Sequence, residues 1–155
     1  MPRGTTKNGR APLWRLVGIL TVLGLSSCGP SSPKLVPVQG TVTLTDRTPI
    51  AYGHVILHPD ASRGNASKEV CQGTIRDGHY TIMTGSQQGA PVGAYVVSIE
   101  AAKEVDPNNP YFTEWLADEK YVDPNRSNLR LEVVEDPEPG RYDFQLSPHR
   151  PQKKK

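Results

Sequence analysis

From residue 38 onward, the chain carries short runs in which apolar and polar residues alternate. Alternation with a period of two is typical of strands that bury one face. Valine, isoleucine, threonine and tyrosine dominate the runs, and glycine, proline, asparagine or aspartate lies between them. The pattern predicts about seven strands: Val38 with Thr41–Thr45, Gly53–His58, Gly73–Ile75, His79–Met83, Ala94–Ala101, Leu129–Val134 and Arg141–Leu146.

The alternation also assigns side chains to faces. In the second run, Val55 and Leu57 share one face, and His54, Ile56 and His58 share the other. Strands that each carry one apolar face bury it by stacking two sheets. The sequence therefore predicts an all-β fold, an antiparallel β-sandwich of about seven strands. The other predicted inward groups are Tyr80 with Ile82, Tyr95 with Val97 and Ile99, Leu129 with Leu131 and Val133, and Tyr142 with Phe144 and Leu146.

Two connections between the runs carry their own signals. Residues 76–78 read RDG, and Gly78 can adopt a positive φ at no steric cost, so a compact hairpin is predicted there. Ala102–Asn128 is too long for a bare hairpin connection. A helix capped by Asn109, with Pro110 in its first turn, would place three apolar residues on one face. One short helical insertion that covers an end of the sandwich is predicted, with Phe112, Trp115 and Leu116 on its apolar face.

The N-terminus has a different apolar pattern. Four basic residues precede the ten-residue apolar run Leu16–Leu25. This order is typical of a secretory signal. As a helix the run would be roughly 15 Å long, against a hydrocarbon thickness of about 30 Å, so it cannot span a membrane alone.

The residues that follow the apolar run distinguish two kinds of export. Leu25, Ser26, Ser27 and Cys28 resemble the bacterial lipobox, in which the cysteine thiol receives lipid and the chain is cut before it. Two or more acyl chains hold a protein stably on a membrane. The resemblance implies a signal peptide over residues 1–27 and a lipidated Cys28 that begins a tether over residues 28–37. The alternative is a plain secreted protein in which Cys28 pairs with Cys71, the only other cysteine.

Lipidation would also restrict the protein to one of the cell's membranes. Gly29 follows the cysteine, and by resemblance to the sorting rule of Gram-negative lipoproteins this favours the outer membrane. Retention at the inner membrane stays open. If Cys28 carries lipid, Cys71 has no partner within the chain, and it is predicted to be a small buried hydrophobe.

The net charge of the chain after removal of the signal bears on whether it binds nucleic acid. Removing residues 1–27 takes away four basic residues and no acidic residue, so the 18 basic and 16 acidic residues of the chain become 14 and 16. Three of the remaining positive charges, Lys153, Lys154 and Lys155, lie in a basic tail over residues 148–155. A nucleic-acid-binding domain normally carries a basic face. No nucleic-acid partner is therefore predicted.

Three motifs along the sandwich carry a family resemblance. The first strand contains valine, x, glycine, x, valine; a later strand contains glycine, x, tyrosine, x, valine; and a lysine–tyrosine pair precedes aspartate–proline. These motifs are Val38, Gly40 and Val42; Gly93, Tyr95 and Val97; and Lys120, Tyr121, Asp123 and Pro124. From Val38 to Leu146 the chain resembles bacterial lipoproteins with a carboxypeptidase-regulatory-like, transthyretin-like domain. One departure is Ile75, where the family often has aspartate.

The resemblance implies a prealbumin-like, Ig-like sandwich over residues 38–147. The resemblance also implies a non-catalytic appendage or a stand-alone surface protein. The fold by itself does not determine an activity. Some transthyretin-like proteins are hydroxyisourate hydrolases that end in Tyr-Arg-Gly-Ser, whereas this chain ends in HRPQKKK. An enzyme of that kind is therefore not predicted.

No other motif predicts catalysis, a metal or a cofactor. His54 and His58 lie four residues apart in one strand, roughly 13 Å, which is too far for one ion to bind both. The chain contains no G-x-S-x-G motif, and Asp or Asn beside proline is ordinary turn chemistry. No catalytic residue, metal site or cofactor is predicted.

The sequence thus predicts a lipid-anchored, non-catalytic β-sandwich that acts as a structural or protein-interaction module at the bacterial cell envelope. The alternative is a small-ligand or carbohydrate-binding lipoprotein. Tyr111, Phe112 and Trp115 are the candidates for a ligand or partner surface, unless these rings pack the predicted helix onto the sandwich. The expected partners are the membrane, through Cys28, and an envelope protein or glycan.

Overall fold

The computed structural model describes residues 33–103 and 114–150. The predicted lipobox Leu25–Cys28, the ring residues Tyr111 and Phe112, and the lysines of the C-terminal tail lie outside the described residues. Among the helices of the described residues, none is long and apolar enough to cross a membrane.

The described residues form an all-β fold. Two short 3-10 helices, Ala61–Arg63 and Glu119–Tyr121, interrupt the strands. The strands are Leu35–Val36 (β1), Gln39–Leu44 (β2), Tyr52–Pro59 (β3), Cys71–Arg76 (β4), His79–Thr81 (β5), Met83–Thr84 (β6), Gln87–Gln88 (β7), Ala90–Pro91 (β8), Gly93–Ala102 (β9), Leu129–Val133 (β10) and Phe144–Leu146 (β11).

Nine of these strands form one sheet in the order β10-β9-β3-β4-β5-β2-β11, with β6 and β7 attached beside β4. β1 and β8 form a separate antiparallel ribbon. The large sheet is mixed instead of purely antiparallel, because β11 runs parallel to β2 and places Phe144 beside Val42. One residue before this pair, Thr41 N–H donates to Asp143 Oδ1 at 2.7 Å.

The predicted inward side chains are buried, apart from Leu129, which is half-buried. On β3, Val55 and Leu57 are completely buried, whereas the alternating residues His54, Ile56 and His58 are half-buried. Strands from both ends of the sheet order, β9 and β10 at one end and β2 and β11 at the other, contribute to one hydrophobic core. The sheet therefore curls around a single core.

The hairpin predicted at RDG is present between β4 and β5. Asp77 and Gly78 form its two-residue turn with φ values of 50° and 80°. Their backbone N–H groups donate to the carbonyl oxygens of Ala51 and Ile50, at 3.0 Å and 2.8 Å. These hydrogen bonds attach the turn to the segment that leads into β3.

The described part of the predicted helical insertion is extended at Trp115 and Leu116. Trp115 forms an antiparallel bridge with Ala102, and Leu116 N–H donates to Ala101 O at 2.9 Å. The prediction that Trp115 and Leu116 lie on a helix is wrong, because the backbone here pairs with the end of β9. The start of that helix, Asn109–Phe112, lies outside the described residues. Among the described residues of the insertion, only Glu119–Tyr121 are helical, as a 3-10 turn capped by Asp118.

The sheet has two ends that matter below. We call the end where the described chain begins the entry end; it carries Leu35, Pro59 and Cys71. The opposite end, the far end, carries Tyr52 and Trp115. The strand register sets this division, because Tyr52 pairs with Ala102, and Pro59 with Tyr95. The eight residues of β3 separate the two ends by about 23 Å at 3.3 Å per residue.

Candidate functional site

The outward surface of β3 and its neighbours carries side chains of mixed burial and mixed polarity. We call it the outer face. On β3 it presents Tyr52, His54, Ile56 and His58, all half-buried. An outward face of an antiparallel sheet is usually polar, so aromatic and apolar side chains here are unusual. The flanking strands add Gln72, Thr74 and Arg76 from β4, Met83 from β6, and Val96, Ser98, Glu100 and Ala102 from β9.

An aromatic group lies at the far end of the outer face. Tyr52 pairs with Ala102 on one side, and Ala102 pairs with Trp115 on the other. Directly opposed residues of antiparallel strands project on the same side, which places Trp115 on the outer face. The ring of Tyr52 contacts His54 edge-on, with centroids 5.7 Å apart. Of the three predicted surface rings, Trp115 thus joins Tyr52, while Tyr111 and Phe112 lie outside the described residues.

An open depression of about 730 Å³ lies along this face. Its walls combine apolar and hydrogen-bonding side chains, so they suit a partner surface of mixed polarity. The apolar contribution comes from Ile56, Val70 and Met83, and the polar contribution from His54, Gln72, Thr74 and Glu100.

Two histidines of the outer face have polar partners on β9. His54 Nδ1 lies 3.5 Å from a carboxylate oxygen of Glu100. His58 Nε2 and Ser98 Oγ are hydrogen-bonded at 2.9 Å. Burial lowers the pKa of His58 below its ordinary value. Ser98 is only 1% exposed, so a substrate cannot reach its hydroxyl, and the pair does not form an accessible nucleophile.

The described residues contain no group of three or more His, Cys, Asp or Glu that could hold a metal ion. The histidine contacts are pairwise: His54 with Glu100, His58 with Ser98, and His149 with Glu119 at 3.9 Å.

Cys71 is buried in the core, as predicted for a small hydrophobe. Thr84 Oγ1 donates to its sulfur at 3.1 Å, and burial raises the pKa of the thiol. The reactive thiolate is therefore disfavoured. Cys71 forms no disulfide with any residue of the two described ranges.

Sequence reasoning did not identify the outer face as a site, although one signal was visible. Ile56 falls among the outward positions of the alternating run Gly53–His58, and Met83 does so in His79–Met83. Apolar residues at outward positions of two strands indicate a covered surface only when the strands are neighbours. Whether the strands are neighbours is a tertiary feature. Here Gln72 of β4 pairs with Ile56 of β3 on one side and with Met83 of β6 on the other.

The class of protein is defined by the fold: an all-β protein with one curled, mixed sheet and an outward face of mixed polarity. No family model matches the chain, and neither a curated protein nor a solved structure shows significant similarity to it.

A pH dependence is expected from His58. Burial lowers the pKa of His58 in the folded state. At pH values between this folded-state pKa and the ordinary pKa of the unfolded chain, protons bind the unfolded chain preferentially. The contribution to stability is therefore full above the ordinary histidine pKa of about 6.5 and is lost as the pH falls below it. In urea unfolding at a neutral and an acidic pH, the free energy of unfolding should fall more for the wild type than for His58→Gln.

The exposed His79 supplies the control: His79→Gln should behave like the wild type. Equal losses in all three proteins would contradict the expectation.

Proposed function

We propose that the protein is a lipid-anchored, non-catalytic β-sandwich that acts as a structural or protein-interaction module at the bacterial cell envelope. The observation that carries the proposal is the outer face, where Tyr52, Ile56, Met83 and Trp115 project outward without belonging to the core. The two-layer sandwich, of the transthyretin-like kind, is part of the proposal; the single core shared by both ends of the curled sheet supports it.

The anchor in this proposal is Cys28, lipidated after removal of residues 1–27. Its support is the sequence Leu25-Ser26-Ser27-Cys28 directly after an apolar run. Gly29 favours the outer membrane, and residues 28–37 tether the domain. A lipid anchor keeps the domain near one surface, where a weak interaction face meets its partner at a raised effective concentration.

The composition of the outer face favours a protein partner. Protein interfaces are enriched in aromatic residues, methionine and arginine, and their strongest contacts are often Trp, Tyr or Arg. Tyr52, Arg76 and Trp115 lie at the far end of the outer face, and Met83 lies in its depression. Ser98, the hydroxyl partner of His58, is buried, so this pair offers no accessible nucleophile.

A second candidate function is binding of a carbohydrate or another small ligand. The observation that favours it is the placement of Trp115 beside Ala102 and Tyr52, since aromatic rings serve as platforms for sugar rings. Arg76, which pairs with Tyr52, and Glu100, in the neighbouring row of the same face, would supply hydrogen bonds.

Site-specific photo-cross-linking in intact cells tests the proposal. A photoreactive amino acid replaces Thr74, which is exposed on the outer face, and, as a matched control, Gln145, which is exposed on β11. The proposal expects one dominant protein adduct from position 74 and none from position 145. Glycan or small-molecule adducts at position 74 would support the second candidate. Equal labelling from both positions would contradict a specific face.

In the variant that carries the photoreactive amino acid at position 74, replacing Trp115 by alanine is expected to lower the adduct yield by about tenfold or more, since an interface tryptophan that anchors the partner often contributes 2 kcal/mol or more. Trp115 is half-buried and lies outside the core, so the folded state should persist. Circular dichroism and urea unfolding check the fold in parallel. If the domain unfolds, Trp115 is a packing residue; if the yield is unchanged in a folded domain, it is not part of the interface.

A further inference from the structure

The entry end carries apolar side chains that the core does not use. Among the described residues, the two exposed large hydrophobics are Val70 and Val92, at 52% and 50% exposure. Val70 precedes the first residue of β4, and Val92 follows Pro91, which pairs with Leu35. Pro33, Leu35 and Val70 also line an open depression of about 450 Å³. We call Pro33, Leu35 and Val70 the entry patch; Val70 also lines the end of the outer-face depression.

The entry patch lies close in sequence to the proposed lipid. Cys28 precedes Pro33 by five residues. A chain spans at most about 3.6 Å per residue, so five residues reach no further than about 18 Å. A lipid on Cys28 would therefore keep Pro33 within about 18 Å of the membrane surface, whereas Trp115 lies at the far end of the sheet.

The charges around the patch decide which kind of lipid contact is possible. Lys34 is paired with Glu135 at 2.8 Å. Lys68 and Glu69 precede Val70, and Asp136 and Glu138 follow Glu135. Among these charges acidic groups outnumber basic ones, and the described residues of this end contain no polybasic segment that would attract anionic lipid. A contact here depends on apolar side chains and does not require anionic headgroups.

We propose that the entry patch rests on the boundary between headgroups and acyl chains of the lipid layer that holds Cys28. The apolar face of an interfacial amphipathic helix enters this boundary to a depth of roughly 5–10 Å, and the apolar side chains of the entry patch would reach the same region. This seating directs the far end, with Tyr52 and Trp115, away from the membrane and toward a partner. The inference rests on the proposed lipid anchor. It adds an orientation that the anchor alone does not impose, because a tether permits many orientations.

Tryptophan fluorescence in vesicles tests the seating. Trp14 is lost with residues 1–27, so the mature chain carries Trp115 as its single tryptophan. In a Trp115→Phe background, Val70→Trp places the probe in the entry patch, and Ala51→Trp places a matched probe at an exposed position of the far end. The lipidated proteins are reconstituted in phosphatidylcholine vesicles that contain brominated lipid. Quenching should be about twofold stronger at position 70, because the brominated chains begin at the depth expected for the patch.

The outcomes separate the seating from the anchor. Vesicle flotation of the wild type and of Cys28→Ser is measured first. If the wild type does not float, the anchor fails, and the seating fails with it. If it floats and positions 70 and 51 are quenched equally, the anchor stands and the seating is overturned. Quenching at position 70 that rises with the number of proteins per vesicle would identify a second copy as the occupant and also overturn it.

A second measurement avoids the added tryptophan. Amide hydrogen exchange of the wild type is compared between its vesicle-bound form and soluble Cys28→Ser. Seating should slow exchange around Leu35 and Val70 on vesicles and leave the turn at Asp77 and Gly78 unchanged. Addition of anionic lipid should not strengthen this protection, since acidic groups surround the patch. Uniform or absent protection would contradict the seating.

Discussion

Replacing Cys28 by serine is expected to transfer the protein from the membrane fraction to the soluble fraction. In the proposed pathway the Cys28 thiol is the point of lipid attachment, and serine cannot receive the lipid. Each buried methylene contributes about 0.8 kcal/mol to membrane binding, and two or more chains hold stably. The partition between membrane and solution should therefore change by at least about 100-fold, which corresponds to a few buried methylenes. Cell fractionation with immunoblotting measures the effect.

The other cysteine supplies the control for this experiment. Cys71 is buried, and Cys71→Ser should leave the protein in the membrane fraction with its lipid mass intact. Intact-mass spectrometry of the wild type should show the added lipid on the chain that begins at Cys28. A wild-type mass without lipid, combined with a Cys28–Cys71 disulfide, would establish the plain secreted protein instead.

The inward-facing side chains of the strands were predictable from the sequence because alternation is local. A residue such as Val55 lies two positions from Leu57, so the backbone alone puts both on one face. The hairpin at Asp77 and Gly78 was equally local, since glycine accepts the positive φ that the turn requires. These features depend on neighbouring residues only.

The pairing of distant strands could not be predicted in the same way. β11 runs parallel to β2 across about a hundred residues of sequence, and the ribbon of β1 and β8 joins Leu35 to Pro91. Trp115 shows the same limit. The spacing of Phe112, Trp115 and Leu116 fits a helix, but a hydrogen bond from Leu116 to Ala101 keeps this part of the chain extended. Tertiary pairing here outweighs local propensity.

Only part of the candidate site could be predicted from the sequence, for the same reason. Trp115 was identified as a surface aromatic from composition and spacing, whereas Tyr52 was not, because nothing in the sequence shows that Ala102 lies between them. The strand register brings both rings to the far end of the outer face. Function on a sheet face is therefore recognisable only after the order of the strands is known.

Replacing Gly53 by alanine is expected to lower the free energy of unfolding by about 3 kcal/mol, the upper part of the range for overpacked positions. Gly53 lies in β3, the strand between β4 and β9, and pairs with Ile75 and Ala101. A Cβ at this position would overlap the carbonyl oxygen of Glu100. That oxygen belongs to the backbone of β9, so relief requires β3 and β9 to separate. Urea unfolding followed by circular dichroism measures the change.

Gly64→Ala provides the matched control because a Cβ at Gly64 would meet no atom within 4 Å. Its φ of 85° still disfavours a side chain, so we expect a loss of only about 1–2 kcal/mol from backbone strain. The excess at Gly53 then measures the close approach of β3 to β9. Because this approach also sets the register of Tyr52 beside Ala102, the Gly53 variant should reduce cross-linking from the outer face as well as stability. A Gly53 variant as stable as the wild type would show that β3 and β9 are not packed this closely, and the alignment of Tyr52 with Trp115 would then lose its basis.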